Sequence, residues 1–317
     1  MARLTATTLQ GWIGSIESRL ETRWGAKRIS LAAMACAMLV WAMLEHVGGS
    51  AVSTIPPLEL VWLRYFVHLA FMLLVVAPWT GTNLIRTRFP AVQIGRSLLM
   101  LGMPLCWILA AHRMAPSSLM TILWAAMLLA TALAAVILRE KPSPMAQLLL
   151  LVGFVGVLLV LHPALPTGRG GALLAAGMST CFAVYLVGTR WLRQEPTQVN
   201  LFHSALSVFV VLSAVVPFIW QRPPLSAALP IVAIGLLGYV SLFLLDRALH
   251  LGAVAEAAPA AFLQPAIEAA WLGWPLGRSE ALGIAVIVMA ALASALAGRP
   301  ATGAENAGRT RHYRQER

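Results

Sequence analysis

The chain has 317 residues, of which 59% are hydrophobic and 11% charged, and its mean hydropathy is +0.79. A soluble domain carries about 25% charged residues, so this composition excludes an ordinary soluble globule. The formal charge of +11 comes from 23 basic residues scattered singly or in short groups between long apolar runs, a pattern of membrane topology rather than of a nucleic-acid-binding face.

Residues 1–29 are mostly polar, but Leu9, Trp12, Ile13, Ile16 and Leu20 recur at helical spacing near Arg19, Arg23 and Lys27. This spacing predicts a helix lying in the cytoplasmic interface, with a short soluble cap as the alternative. No secretory signal is expected ahead of the first apolar run. Hydrocarbon about 30 Å thick needs about 20 apolar residues per helix. Ten segments qualify: 30–50, 58–78, 91–112, 117–138, 145–162, 171–191, 198–219, 228–248, 254–274 and 281–298. Glu256, Glu268 and Pro275 interrupt the ninth, and Gly277-Arg278-Ser279-Glu280 leaves little room for a turn into the tenth. Residues 299–317 are polar and basic, which predicts a disordered cytoplasmic tail.

Orientation follows from the basic residues in the connections. With the N-terminus inside, one face collects 18 of them: Arg3, Arg19, Arg23, Lys27, Arg28, Arg86, Arg88, Arg96, Arg139, Lys141, Arg190, Arg193, Arg247, Arg299, Arg309, Arg311, Arg314 and Arg317. The other face has Arg113, Arg169, Arg222 and Arg278. Both termini are therefore expected in the cytoplasm, and the Arg-rich, Ala-rich composition suggests a multi-pass protein of a bacterial inner membrane. Cys36, Cys106 and Cys181 lie in apolar segments without paired spacing or a ligand cluster, so they read as core residues, with no metal or other cofactor expected.

An internal repeat is visible. Pro57 and Pro196 are 139 residues apart, as are Pro78 and Pro217, while His112 and His250 are 138 apart. A unit of five spans is odd, so a second copy enters the membrane from the opposite side. Residues 30–162 and 171–298 would then be two inverted five-helix repeats of an all-α, ten-helix protein, an arrangement that suits alternating access.

The stretches PLELVWLRYFVHL, AAHRMAPSSLMTILWAAMLLATALAAVILREKPSP, GFVGVLLVLHP and ALHLGAVAEAAPAAFLQPAIEAAWLG, in this order, resemble the EamA-like branch of the drug/metabolite transporter superfamily over about residues 30 to 298. The resemblance implies two inverted five-helix halves, cytoplasmic termini and a central cavity for small metabolites. The chain departs from the family pattern at Met127, where proline is frequent, and at Gly277-Arg278, where Gly-Glu is frequent; Pro265 is retained.

Polar residues inside apolar spans are the candidate site. A central Arg is unfavourable by roughly 2.5–3.5 kcal/mol in hydrocarbon, so Arg64 needs a role. It lies about 9 Å inward from its helix end, at a depth similar to that of Glu45 on the preceding helix. Three readings stand: an ion pair with Glu45, contact with an anionic substrate group, or snorkelling to the interface. His68 shares the Arg64 face, and His203 occupies the matching position of the second half; each is a packing histidine or a proton relay. Gln264 and Glu268 share a face around Pro265, which loosens the turn behind it. Trp41, Trp124 and Tyr185 line a pocket or pack the core, whereas Trp79, Trp220 and Trp274 suit the interfacial belt.

The function expected from these features is secondary transport of a small organic metabolite, with export as the favoured direction. The partners are that solute and the lipid bilayer, without nucleic acid and with a homodimer open as the assembly. A membrane scaffold or sensor is the alternative. An enzyme is disfavoured: there is no HExxH pair, Gly177-Met178-Ser179-Thr180 only partly matches a nucleophile motif, and no P-loop supports ATP-driven pumping.

Overall fold

The computed structural model describes Arg19 and residues 22–51, 55–164, 168–272 and 276–297. The apolar stripe from Leu9 to Leu20, Trp274, and the tail from 299 lie outside the described residues, as do the expectations attached to them. Among the described residues the fold is all-helical, without strands.

The helices are α1 (Ala26–Ala51), α2 (Pro57–Phe71), α3 (Pro90–Ala111), α4 (Pro116–Ile137), α5 (Pro144–Leu161) and α6 (Arg169–Trp191) in the first part of the chain. They are followed by α7 (Thr197–Ser213), α8 (Ala228–Leu251), α9 (Val254–Ala261), α10 (Leu263–Leu272) and α11 (Arg278–Leu296). Helices α2 to α5 each begin on proline, whose missing N–H falls where no intrahelical acceptor exists. Ser143 caps α5 by accepting from the Ala146 amide at 3.2 Å.

Among the described residues eight helical segments are long and apolar enough to cross a membrane, against the ten spans expected. The seventh expected span is the shorter apolar helix α7, and the ninth is divided into α9 and α10 at Phe262. Pro265 explains the break, because it has no N–H to offer the Ala261 carbonyl one turn back. A milder version occurs after α2, where Pro78 cannot bond Leu74 and the helix widens into a π turn over Met72–Val76.

Apolar burial contributes little between helices that would otherwise face lipid; close approach and dispersion hold them together. A close backbone approach joins α5 to α11, where a Cβ built on Gly283 would lie 2.7 Å from the Gly156 carbonyl oxygen. Helix α6 packs against α3 and α4, and half of its apolar stretch is buried. One α6 face carries Met178, Phe182, Tyr185 and Thr189 at helical spacing, all buried.

Candidate binding cavity

A cavity of about 460 Å³ lies among the ends of α1 and α3, the starts of α2 and α4, and the middles of α6, α8 and the α9–α10 break. Gly48, Gly49 and Pro57 line it where the chain turns from α1 to α2; this is the open end of the bundle. The opposite end, which holds Arg28, Arg88, Arg139 and Arg193, is the basic end. Trp41, Trp107, Trp124, Met103, Met120 and Met178 give the cavity large, polarisable apolar walls.

Its polar groups are few. Arg64 reaches in from α2, its Cζ 5.6 Å from the Tyr65 ring, and its buried Nε has no hydrogen-bond partner. Of the three readings of Arg64, the ion pair with Glu45 does not form. The Glu45 carboxylate instead accepts a 3.0 Å bond from Trp41 Nε1 on its own helix, one turn away. Gln264 donates through Nε2 to Glu268 Oε1, while its buried Oε1 is unpartnered, as is the buried Nε1 of Trp124. Each such atom carries a penalty of about 1–3 kcal/mol when it stays unpaired, which complementary groups on a solute would relieve. The lining therefore offers a cation and an indole donor together with a carboxylate and an amide acceptor.

Two of the lining tryptophans pack against Phe182, which does not line the cavity. Trp41 sits 5.6 Å from Phe182 and 6.1 Å from Trp124, and Trp124 sits 6.4 Å from Phe182. Beneath them is a buried polar network centred on Arg96 of α3. Its Nη1 donates to Thr189 Oγ1 (2.9 Å), its Nη2 to the Asn200 carbonyl (2.7 Å) and to Ser204 Oγ (2.9 Å), and its guanidinium lies 5.0 Å from the Tyr185 ring. Gln93 donates to Asn200 Oδ1 and Asn200 donates to Asp246 Oδ1 at 3.0 Å, so α3, α6, α7 and α8 are bonded together. Closer to the basic end, Glu140 accepts from Arg190 Nε at 2.7 Å and from the Val254 amide at 3.1 Å. Arg190 also donates to the Leu249 and His250 carbonyls.

Of the residues singled out from sequence, Arg64, Glu45, Gln264, Trp41 and Trp124 line the cavity. Glu268 touches it only through Gln264. His68 is enclosed beneath Arg64, stacked on Tyr65 at 6.1 Å and edge-on to Tyr239 at 5.2 Å, and neither of its buried ring nitrogens has a hydrogen-bond partner. His203 is half-buried at the basic end, 3.2 Å from the Ile85 carbonyl. Tyr185 belongs to the Arg96 network rather than to the cavity. Cys36 is exposed on α1 rather than in the core.

Arg96 itself had been counted with the basic residues of the connections, and the structure buries it. Sequence carried a faint signal for it: Gln93 and Arg96 share a helix face, as do Asn200 and Ser204, and Asp246 and His250. The α3 wall, Met103, Pro104, Trp107 and Ile108, had no polar marker at all.

Residues 28–162 match the model of the EamA-like transporter family. A solved crystal structure matches the fold with a TM-score of 0.74 and 21% identity, over 84% of this chain and 97% of the other. No curated protein sequence matches the chain.

Proposed function

We propose that this chain, whose residues 28–162 are an EamA-like transporter domain of the drug/metabolite transporter superfamily, carries a small organic solute across the bilayer by alternating access. The observation that carries this reading is one-sided access. The cavity reaches the middle of the bundle from the open end, and three rings followed by the Arg96 and Glu140 networks obstruct it from the basic end.

Helix contacts support the two-repeat organisation behind that mechanism. Helix α1 packs on α8 as α3 packs on α6; α2 meets α8 as α7 meets α3; α4 meets α6 as the broken α9–α10 pair meets α1. Helices α5 and α11 pair with each other, as elements on a pseudo-two-fold axis do. Exchanging residues 30–162 with 171–298 maps this pattern onto itself, and ten spans then include α7 and the α9–α10 pair. Rocking of the halves would break the Arg96 network and open the basic end. Both termini are placed at a cytoplasmic basic end of a bacterial inner membrane, which fits the positive-inside distribution, and the favoured direction is export.

The solute suited to the lining has an apolar body for the tryptophans, an acidic group for Arg64, and a donor group for Glu45 and Gln264 Oε1. The test begins with thermal stabilisation of the purified protein by a broad metabolite set, because a ligand of the folded state raises its stability. Stabilising solutes are then assayed for transport in proteoliposomes, with Arg64→Ala and Gln264→Ala alongside. A carrier moves at least one of them, and both variants weaken binding. If no stabilising solute crosses the membrane, the transport reading is wrong; if transport by Arg64→Ala matches the parent, the solute sits elsewhere.

A further inference from the structure

A second cavity, of about 360 Å³, lies at the basic end between the start of α3, the end of α4 and the end of α6. Phe89, Ile137, Leu138, Arg190, Trp191 and Arg193 contribute its distinguishing surfaces. Phe89 and Trp191 meet edge to face with centroids 4.7 Å apart. Ile137 and Trp191 are 57% and 43% exposed, and the neighbouring Val136 is 78% exposed, so the cavity runs into a surface that only lipid covers in a membrane. It is distinct from the larger cavity, with which it shares no lining residue.

The charge at this position is only partly compensated. Arg190 is engaged by Glu140 and two carbonyls through Nε and Nη1, which leaves its Nη2 outside those bonds. Arg193 is exposed, and its side chain makes no ion pair or hydrogen bond with the described residues. Glu195 also lines the cavity, but it is buried and accepts from the Arg88 amide at 3.2 Å. Exposed Arg88 adjoins Phe89, and exposed Arg139 follows Leu138. Two lining arginines and these neighbours outnumber the acids, which favours an anion. A soluble anion would use the arginines and leave the apolar rim in lipid unused, whereas a molecule with an anionic head and acyl chains uses both. Basic pockets between helices at a membrane surface recognise such headgroups, and Trp at this depth suits the interface.

We infer that this basic-end cavity binds the headgroup of an anionic phospholipid, with the phosphate at Arg193 and Arg190 and the chains along Ile137 and Trp191. The inference rests on the membrane-spanning character of the chain and is independent of the solute it carries.

The test titrates the detergent-purified full-length protein with dioleoyl phosphatidylglycerol, dioleoyl phosphatidylcholine or inorganic phosphate, and reads the apparent affinity from thermal stabilisation. Phosphatidylglycerol stabilises the parent at concentrations where phosphatidylcholine and phosphate do not. Arg193→Ala weakens phosphatidylglycerol about fivefold, the factor for one basic residue at an anionic surface, and Arg193→Lys restores most of it. Lys27→Ala, at the same end but outside the cavity, leaves the affinity unchanged. Equal stabilisation by phosphatidylcholine, an Arg193→Ala affinity equal to the parent's, or an equal loss in Lys27→Ala overturns the site. Arg193-dependent stabilisation by phosphate alone overturns its assignment to lipid.

Discussion

Gly238 of α8 lies against the guanidinium of Arg64: a Cβ built there would come within 2.6 Å of Arg64 Nε and 3.3 Å of Cζ. The contact fixes where the cation enters the cavity. The obstructed atoms belong to the mobile tip of a long side chain, so Gly238→Ala displaces the tip rather than the backbone. We expect thermal stability within about 1 kcal/mol of the parent, at the low end of overpacking effects. Solute affinity should nevertheless fall nearly as far as in Arg64→Ala. Parent-like affinity in Gly238→Ala would show that the position of the cation is immaterial.

The Arg96 network joins helices from both halves of the chain. A hydrogen bond to a charged group contributes about 1.5–3 kcal/mol, so losing even one shifts a two-state equilibrium by more than about tenfold. Arg96→Ala should therefore open the basic end more often. Ser97 is buried beside it, donating to the Gln93 carbonyl at 2.6 Å. With Cys36, Cys106 and Cys181 replaced by alanine, thiol labelling of Ser97→Cys from the basic end should accelerate in the Arg96→Ala background.

Glu140 holds two elements at once, and its side chain and that of Arg190 are 12% and 11% exposed. Removing one partner of such a pair strands the other, at about 3 kcal/mol for buried examples. Glu140→Ala should lower the unfolding midpoint in detergent more than Glu140→Gln, because the amide oxygen can still accept from Val254. Equal losses would mean that the Arg190 charge dominates.

Trp124→Phe separates packing from recognition. The indole Nε1 has no protein partner, so removing it sacrifices no internal hydrogen bond, and a phenyl ring keeps most of the contact with Trp41 and Phe182. We expect unchanged stability to within about 1 kcal/mol, with solute affinity about fivefold weaker where the solute accepts from the indole. Trp124→Ala, by contrast, should destabilise by about 3–5 kcal/mol.

Much of the architecture was legible because lipid imposes long apolar runs: the expected span 117–138 and helix Pro116–Ile137 differ by one residue at each end. Pro265 likewise marked the break between α9 and α10. The cavity was legible where polarity stood out, as at Arg64, Glu45 and Gln264, and at the mid-span tryptophans Trp41 and Trp124. Met103 and Trp107 escaped because every face of an apolar helix looks alike when some faces meet lipid. Arg96 was misread because it sits close to its helix start, and its partners Thr189, Asn200 and Ser204 are 93, 104 and 108 positions away. The absence of the Glu45–Arg64 pair depends on side-chain direction, which spacing along a helix does not specify.

The most direct test of alternating access compares thiol labelling from the two membrane faces at Met103→Cys, in the cavity, and Ser97→Cys, behind the three-ring barrier, each in the background without native cysteines. The account expects Met103→Cys to react from the open end and Ser97→Cys from the basic end, with Arg96→Ala slowing the first and accelerating the second. Ser97→Cys labelled from the open end, Met103→Cys reactive from the open end alone even with Arg96→Ala, or Ser97→Cys inert from both faces even with Arg96→Ala, would contradict it.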